Sequence, residues 1–173
     1  MYADNNIQGW MGVGELQWLY ERAHEFTRIV EIGCWKGRST HALLSGCKGT
    51  VFAIDNFKGN PTEIGEGQPH HEATYNDIHK VFLQNVGHFP NLVTLKMDSM
   101  EAVKMFKNKS VDMVFIDGEH TLKEFTQDFE GWRPKCKTLF CGHDKDMDGP
   151  ERYLRENKIK VISREGIWIL CDE

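Results

Sequence analysis

The sequence predicts an α/β fold, doubly wound, with a mostly parallel sheet closed by an antiparallel last strand. Three observations carry this. Short β-branched runs alternate with helix-spaced runs from residue 28 to residue 157, and such alternation builds parallel sheets covered by helices on both faces. Two glycines, Gly33 and Gly37, follow the first of these runs where a strand passes into a helix, the place where nucleotide folds make their tight turn. The last two strands are joined only by Arg164-Glu165, too short for a crossover, so they form a hairpin.

Taken in order, residues 1–14 are polar and glycine-punctuated, with Trp10 and Met11 as apolar exceptions. This arm reads equally as a cover over a ligand or as plain surface. Leu16, Leu19, Tyr20 and Ala23 recur at helical spacing within residues 15–26. Ile29, Val30 and Ile32 make a buried strand, and residues 39–45 a helix. Residues 50–55 form the second strand, ending in Asp55, about 20 residues past Gly33, the separation at which an acid meets ribose hydroxyls. The same aspartate also reads as a strand-end cap.

Residues 56–74 are irregular and carry three glycines and two prolines. Loops of this length are functional or disordered, and this one starts at the ligand edge of the sheet. His70 and His71 within it are expected to be solvated, because adjacent side chains on an extended segment diverge. Residues 75–86 predict a helix with Ile78, Phe82 and Val86 on one face, and residues 92–96 the third strand. Asp98 or Ser99 caps the short helix that follows through Phe106. Residues 111–117 form the fourth strand, residues 121–132 a helix, and residues 137–142 the fifth strand. A polar turn through Gly149-Pro150 is expected before a helix to about Asn157, and the hairpin strands cover residues 159–163 and 166–171.

At 173 residues the chain is expected to be a single domain, residues 1–173, with an arm and helix over 1–27 and a core over 28–173. The net charge is −5 and no long basic run is present, which argues against nucleic-acid binding. No apolar run reaches membrane-spanning length and no signal-peptide core is visible, so no membrane partner is expected and the protein is read as cytoplasmic. Five cysteines without a Cys-x-x-Cys pair fit a reducing compartment. Cys136, Cys141 and His143 lack an obvious fourth ligand for zinc, so the cysteines read as buried core.

The turn after the first strand narrows the ligand. Gly-x-Gly-x-x-Gly fails, because Trp35 and Arg38 stand where its second and third glycines belong. The phosphate-loop pattern fails in spacing, and Arg38 follows its last glycine in place of lysine. What remains is acid-x-Gly-x-x-x-Gly, Glu31 to Gly37. Strands one, two, four and five end in Glu31/Gly33, Asp55, Asp117 and His143-Asp144. Polar clusters at one sheet edge mark the crevice where ligands bind.

Val30-Glu-Ile-Gly-x-x-x-Gly-Arg-Ser-Thr40, Phe115-Ile-Asp-Gly-x-His120 and His143-Asp144 together resemble the S-adenosylmethionine-dependent O-methyltransferases of the macrocin and cephamycin biosynthesis type, and more distantly the catechol O-methyltransferases. The match runs from about Arg28 to Asp144. It implies a Rossmann-like sheet of order 3-2-1-4-5-7-6. It implies S-adenosylmethionine bound by Glu31, Gly33, Trp35, Gly37, Ser39, Asp55, Asn56, Asp98, Ser99 and Asp117. It also implies a divalent metal, Mg or Mn, on Asp117 and Asp144 with His143 third, and His120 as general base beside Asp117.

The family's usual pair at this site is Asp-Asn or Glu-Asp, so His143 is a departure. Magnesium prefers oxygen, whereas imidazole suits Mn, Fe, Ni or Zn, so the ion is left open. The resemblance implies a small-molecule acceptor, with a sugar or natural-product hydroxyl as the leading class. Metal-free transfer to nitrogen or carbon, or a cofactor-binding module without turnover, stands as the alternative. A chain this short leaves the acceptor site open or completed by a second subunit, that is, a homo-oligomer.

Overall fold

The computed structural model describes Tyr2 and residues 6–171; the outermost residues of the expected domain lie outside that range. Seven strands form one sheet: β1 Arg28–Ile32, β2 Thr50–Asp55, β3 Leu92–Lys96, β4 Val111–Ile116, β5 Cys136–Gly142, β6 Val161–Arg164 and β7 Ile167–Leu170. Their order is 3-2-1-4-5-7-6, as the resemblance implies. The first five pair in parallel, and β7 runs antiparallel to both β5 and β6.

Among the described residues six α-helices cover the sheet: α1 Val13–Ala23, α2 Arg38–Gly46, α3 Ile78–Val86, α4 Ser99–Ala102, α5 Leu122–Trp132 and α6 Asp148–Glu156. Strand alternation divides the core between the faces. Ile29, Met113 and Phe115 meet α1, α2 and α3 on one side. Val30, Ile32, Val114 and Ile116 meet α4, α5 and α6 on the other. With both faces buried, β1 and β4 are near-continuous apolar runs.

Two local expectations change. Gly149 and Pro150 belong to the first turn of α6 and do not precede it. Proline is tolerated there, since its missing N–H would have no partner within the helix. The helix expected from residue 75 begins at Ile78, where Asp77 accepts the Lys80 N–H and caps it. The preceding His71–Thr74 forms a separate 3-10 turn.

All five cysteines are free. Cys136 and Cys141 donate to the Asp112 and Val114 carbonyls as core residues. Among the described residues no helix is long and apolar enough to cross a membrane.

Candidate active site

Ladder bonds continue beyond the strand ends and fix the site. Gly33 N–H donates to Ile54 O (2.9 Å), Asp117 N–H to Ile32 O (2.8 Å) and His143 N–H to Ile116 O (2.9 Å). The side chains following β1, β4 and β5 are thereby held at one edge. A cavity of about 580 Å³ opens there, within the range of small-molecule sites. Its walls come from the glycine turn, the ends of β2 and β3, residues 117–120, His143-Asp144, the N-terminal arm and the long loop.

The turn itself depends on Gly33. Its φ is +79°, and a Cβ there would stand 2.1 Å from the Asp117 carbonyl oxygen. Glycine is needed for close approach of two strand ends to each other, which then brings Asp117 beside the turn. Trp35 has φ +44° and Asp144 φ +54°. Non-glycine residues rarely adopt that region, and where they do it is often at a functional site; both line the cavity.

Most of the expected cofactor residues meet in this wall: Gly33, Trp35, Ser39, Asp55, Asn56, Asp98, Ser99 and Asp117. Glu31 and Gly37 lie outside it. Gly37, at φ +92°, caps α2, and its α-carbon faces Val86 and Phe82 of α3. Glu31 is fully buried beneath the turn, where Thr40 Oγ1 donates to its Oε2 (2.5 Å). Burial pushes its carboxyl up to about 8, against the hydrogen bonds from Ser39 and Thr40.

A raised folded-state value means the folded protein holds an extra proton. The stability linked to it is complete below 4.5 and is lost as pH rises through about 8. Glu31→Gln carries no such proton, so its melting temperature relative to the parent should climb across that window. Parallel pH profiles would contradict this placement of Glu31.

Asp55 has a structural task as well. Its Oδ2 accepts the Cys34 and Trp35 N–H groups (3.0 and 2.9 Å), and its Oδ1 accepts from Phe57 N–H (2.6 Å). A carboxylate offers about four acceptor positions, so one remains for a ribose hydroxyl. Asp98 caps α4 by accepting the Met100 N–H (2.8 Å). Ser99 donates to Asp128, a buried carboxyl on α5 that also lines the cavity. Burial pushes Asp128 up to about 7.

At the other end of the cavity stand the groups suited to a metal. One ligand atom each from Asp117, His120 and Asp144 lies within 4.8 Å of the others. His120 Nε2 is 3.0 Å from Asp144 Oδ2, an ion-pair contact. Its Nδ1 is 3.8 Å from Glu63 Oε1. Burial alone would lower His120, but Asp144, with Asp117 and Glu63, holds it above the ordinary histidine value.

His143 stands beside this group. Its Nδ1 lies 3.1 Å from Asp144 Oδ2 and 3.6 Å from Asp117 Oδ1, while its Nε2 meets Glu15 Oε1 at 2.6 Å. Against burial, the two aspartates push it up to about 11. The same histidines draw Asp144 well below the carboxylate range despite burial. The acids at this edge therefore take cationic partners even from within the chain.

Several wall residues had no motif to announce them. His70, expected to be solvated, is wedged between Trp10 and Trp35 with ring centroids 4.9 and 4.5 Å away, and pairs with Glu63 at 3.1 Å. Lys36 is buried and joins Glu72 of the long loop to Gln8 of the arm. Both segments thus form cavity wall. Asp128 left a readable trace: it shares the apolar stripe of Phe125, Phe129 and Trp132 on α5, where a charged residue is out of place.

The cavity fits a nucleoside-bearing cofactor. Asp55 keeps an open acceptor position at the end of β2, and Asp98, Ser99 and Asp128 supply polar groups after β3 and on α5. A donor set of the Asp117 and Asp144 carboxylates and the His143 imidazole, with His120 beside them, fits a divalent ion.

Known proteins share this architecture. The O-methyltransferase NovP superposes with a TM-score of 0.65 at 15% identity, over 92% of this chain and 79% of that one. The TDP-rhamnose 3′-O-methyltransferase CalS11 of calicheamicin biosynthesis gives 0.59 at 14%, over 90% and 77%. A caffeoyl-CoA O-methyltransferase-like protein from Staphylococcus aureus gives 0.60 at 17%, over 96% and 87%. These likenesses are of fold. An uncharacterized protein, y4gI of Sinorhizobium fredii, is 28% identical over 129 residues, 69% of this chain, and the chain spans only 13% of that protein's length. The profile of the methyltransferase-domain family Methyltransf_24 matches residues 30–144. The chain belongs to that family, among the class I S-adenosylmethionine-dependent methyltransferases.

Proposed function

We propose that this protein transfers the methyl group of S-adenosylmethionine to a hydroxyl of a small-molecule acceptor, with a divalent ion on Asp117 and Asp144 and with His120 taking the hydroxyl proton. The supporting observation is that Asp117, His120 and Asp144 converge at the wall of the same cavity that holds the glycine turn. A sulfonium cofactor supplies the electrophilic methyl group, and a bound divalent ion lowers the pKa of a coordinated hydroxyl.

The chain's own residues do the rest. Asp55 and the Gly33 turn orient the cofactor, and Asp117 and Asp144 hold charge opposite the acceptor. His120, flanked by Asp144 and Glu63, sits within reach of that charge as proton acceptor. The Trp10–His70–Trp35 cluster forms an aromatic wall against which the acceptor's ring packs. That wall, with Glu63 beside it, favours a ring carrying hydroxyl groups, as in a sugar or a natural-product scaffold.

The test measures S-adenosylhomocysteine formation across a panel of hydroxylated sugars and catechols. Excess chelator should abolish turnover, and Mn²⁺ or Mg²⁺ should restore it. His120→Ala should lower turnover by about 10²–10⁴-fold while metal affinity is kept. Full turnover in chelator would remove the ion from the mechanism.

A further inference from the structure

We propose that Glu15 is a positioning residue that aims His143 Nδ1 into the strand-edge cluster, so that the cluster takes an imidazole-accepting transition ion such as Mn²⁺ or Co²⁺ in preference to Mg²⁺. This rests on the metal reading above and assigns the donor set and its outer support.

Glu15 is fixed at both oxygens. Its Oε2 accepts the Gly12 N–H (2.5 Å) at the start of α1, and its Oε1 accepts from His143 Nε2 (2.6 Å). The β6–β7 hairpin closes over it: a Cβ on Gly166 would lie 2.4 Å from Oε1. His143 is fixed along its backbone too, since Trp168 Nε1–H donates to its carbonyl (2.9 Å) and its N–H is held by Ile116.

With Nε2–H donated to Glu15, an ion that displaces the proton facing the two aspartates meets a lone pair at Nδ1. Nδ1 is the atom that faces Asp144 and Asp117, at 3.1 and 3.6 Å. Metal-binding histidines characteristically donate their other N–H to a carboxylate, which sets tautomer and ring direction. The cluster then offers the His143 nitrogen and the two carboxylates of Asp117 and Asp144 to an ion, with His120 beside them as the base. Magnesium wants octahedral oxygen; imidazole suits later ions. A glutamate that only capped α1 would need no partner 128 residues away.

The experiment titrates Mn²⁺ and Mg²⁺ calorimetrically, and Co²⁺ by visible absorption, into wild type, Glu15→Gln and Glu15→Ala. Wild type should bind Mn²⁺ at least about tenfold tighter than Mg²⁺. Glu15→Ala should lose about 10–100-fold in Mn²⁺ affinity and shift the Co²⁺ spectrum. Its Mg²⁺ and S-adenosylhomocysteine affinities should hold. Glu15→Gln keeps an acceptor oxygen and should lie between the two. Should Glu15→Ala not fold, Glu15→Gln and the wild-type Mn²⁺/Mg²⁺ ratio decide. Unchanged Mn²⁺ binding in folded Glu15 variants, or a wild type that prefers Mg²⁺, overturns this assignment alone. A wild type that binds no divalent ion overturns it together with the metal reading.

Discussion

Asp117→Asn is expected to cut divalent-ion affinity by at least about 100-fold, more than loss of an outer-shell partner costs. Asp117 supplies a carboxylate to the cluster with His120 and Asp144, and it also faces His143. Asparagine keeps the shape and the backbone bond to Ile32 but removes the charge. The fold should survive, and S-adenosylhomocysteine should bind more weakly by no more than about tenfold, the loss of one net hydrogen bond. Calorimetric titration of Mn²⁺ checks this. Metal affinity equal to that of wild type would mean that Asp117 serves the cofactor or the fold alone.

Gly33→Ala should be the most damaging single methyl in the site. Its Cβ would meet the Asp117 carbonyl oxygen at 2.1 Å and Gly118 Cα at 2.8 Å, with φ at +79°. The left-handed backbone costs about 1–2 kcal/mol, and overpacking against rigid backbone about 1–3 kcal/mol more. Together, at about 2–4 °C per kcal/mol for a chain of this size, the melting temperature should fall by roughly 4–20 °C. Because the turn braced by Asp55 must move, stabilisation by S-adenosylhomocysteine should vanish as well. A variant that melts within a degree or two of wild type and still responds to S-adenosylhomocysteine would contradict the packing described for the turn.

Much of this was legible in the chain because the relevant signals are local. The runs ending in Asp55, Asp117 and His143-Asp144 are strands whose polar termini fall at one edge once the sheet is parallel, and the two-residue connection, which the structure places one residue later at Glu165-Gly166, leaves β7 no choice but to reverse. What stayed hidden depends on partners distant in sequence. Nothing near His143 announces Glu15, and nothing near Glu31 says that its carboxyl is sealed under α2 and not turned toward the cofactor. His70 was expected to be solvated because adjacent side chains on an extended loop diverge. It is enclosed because the arm brings Trp10 and the turn brings Trp35 to either side of it. Asp55 was expected to face ribose. Its carboxylate also accepts three backbone N–H groups, a duty that only the folded turn creates.

The account stands most directly on what the strand-edge cavity binds. Titration of the purified protein with S-adenosylhomocysteine, NAD and ATP decides it without knowledge of the acceptor. The expected result is saturable one-to-one binding of S-adenosylhomocysteine, weakened by Asp55→Ala, with NAD and ATP at least about 100-fold weaker. Preferential binding of NAD or ATP, or no binding of S-adenosylhomocysteine to folded protein, would contradict it.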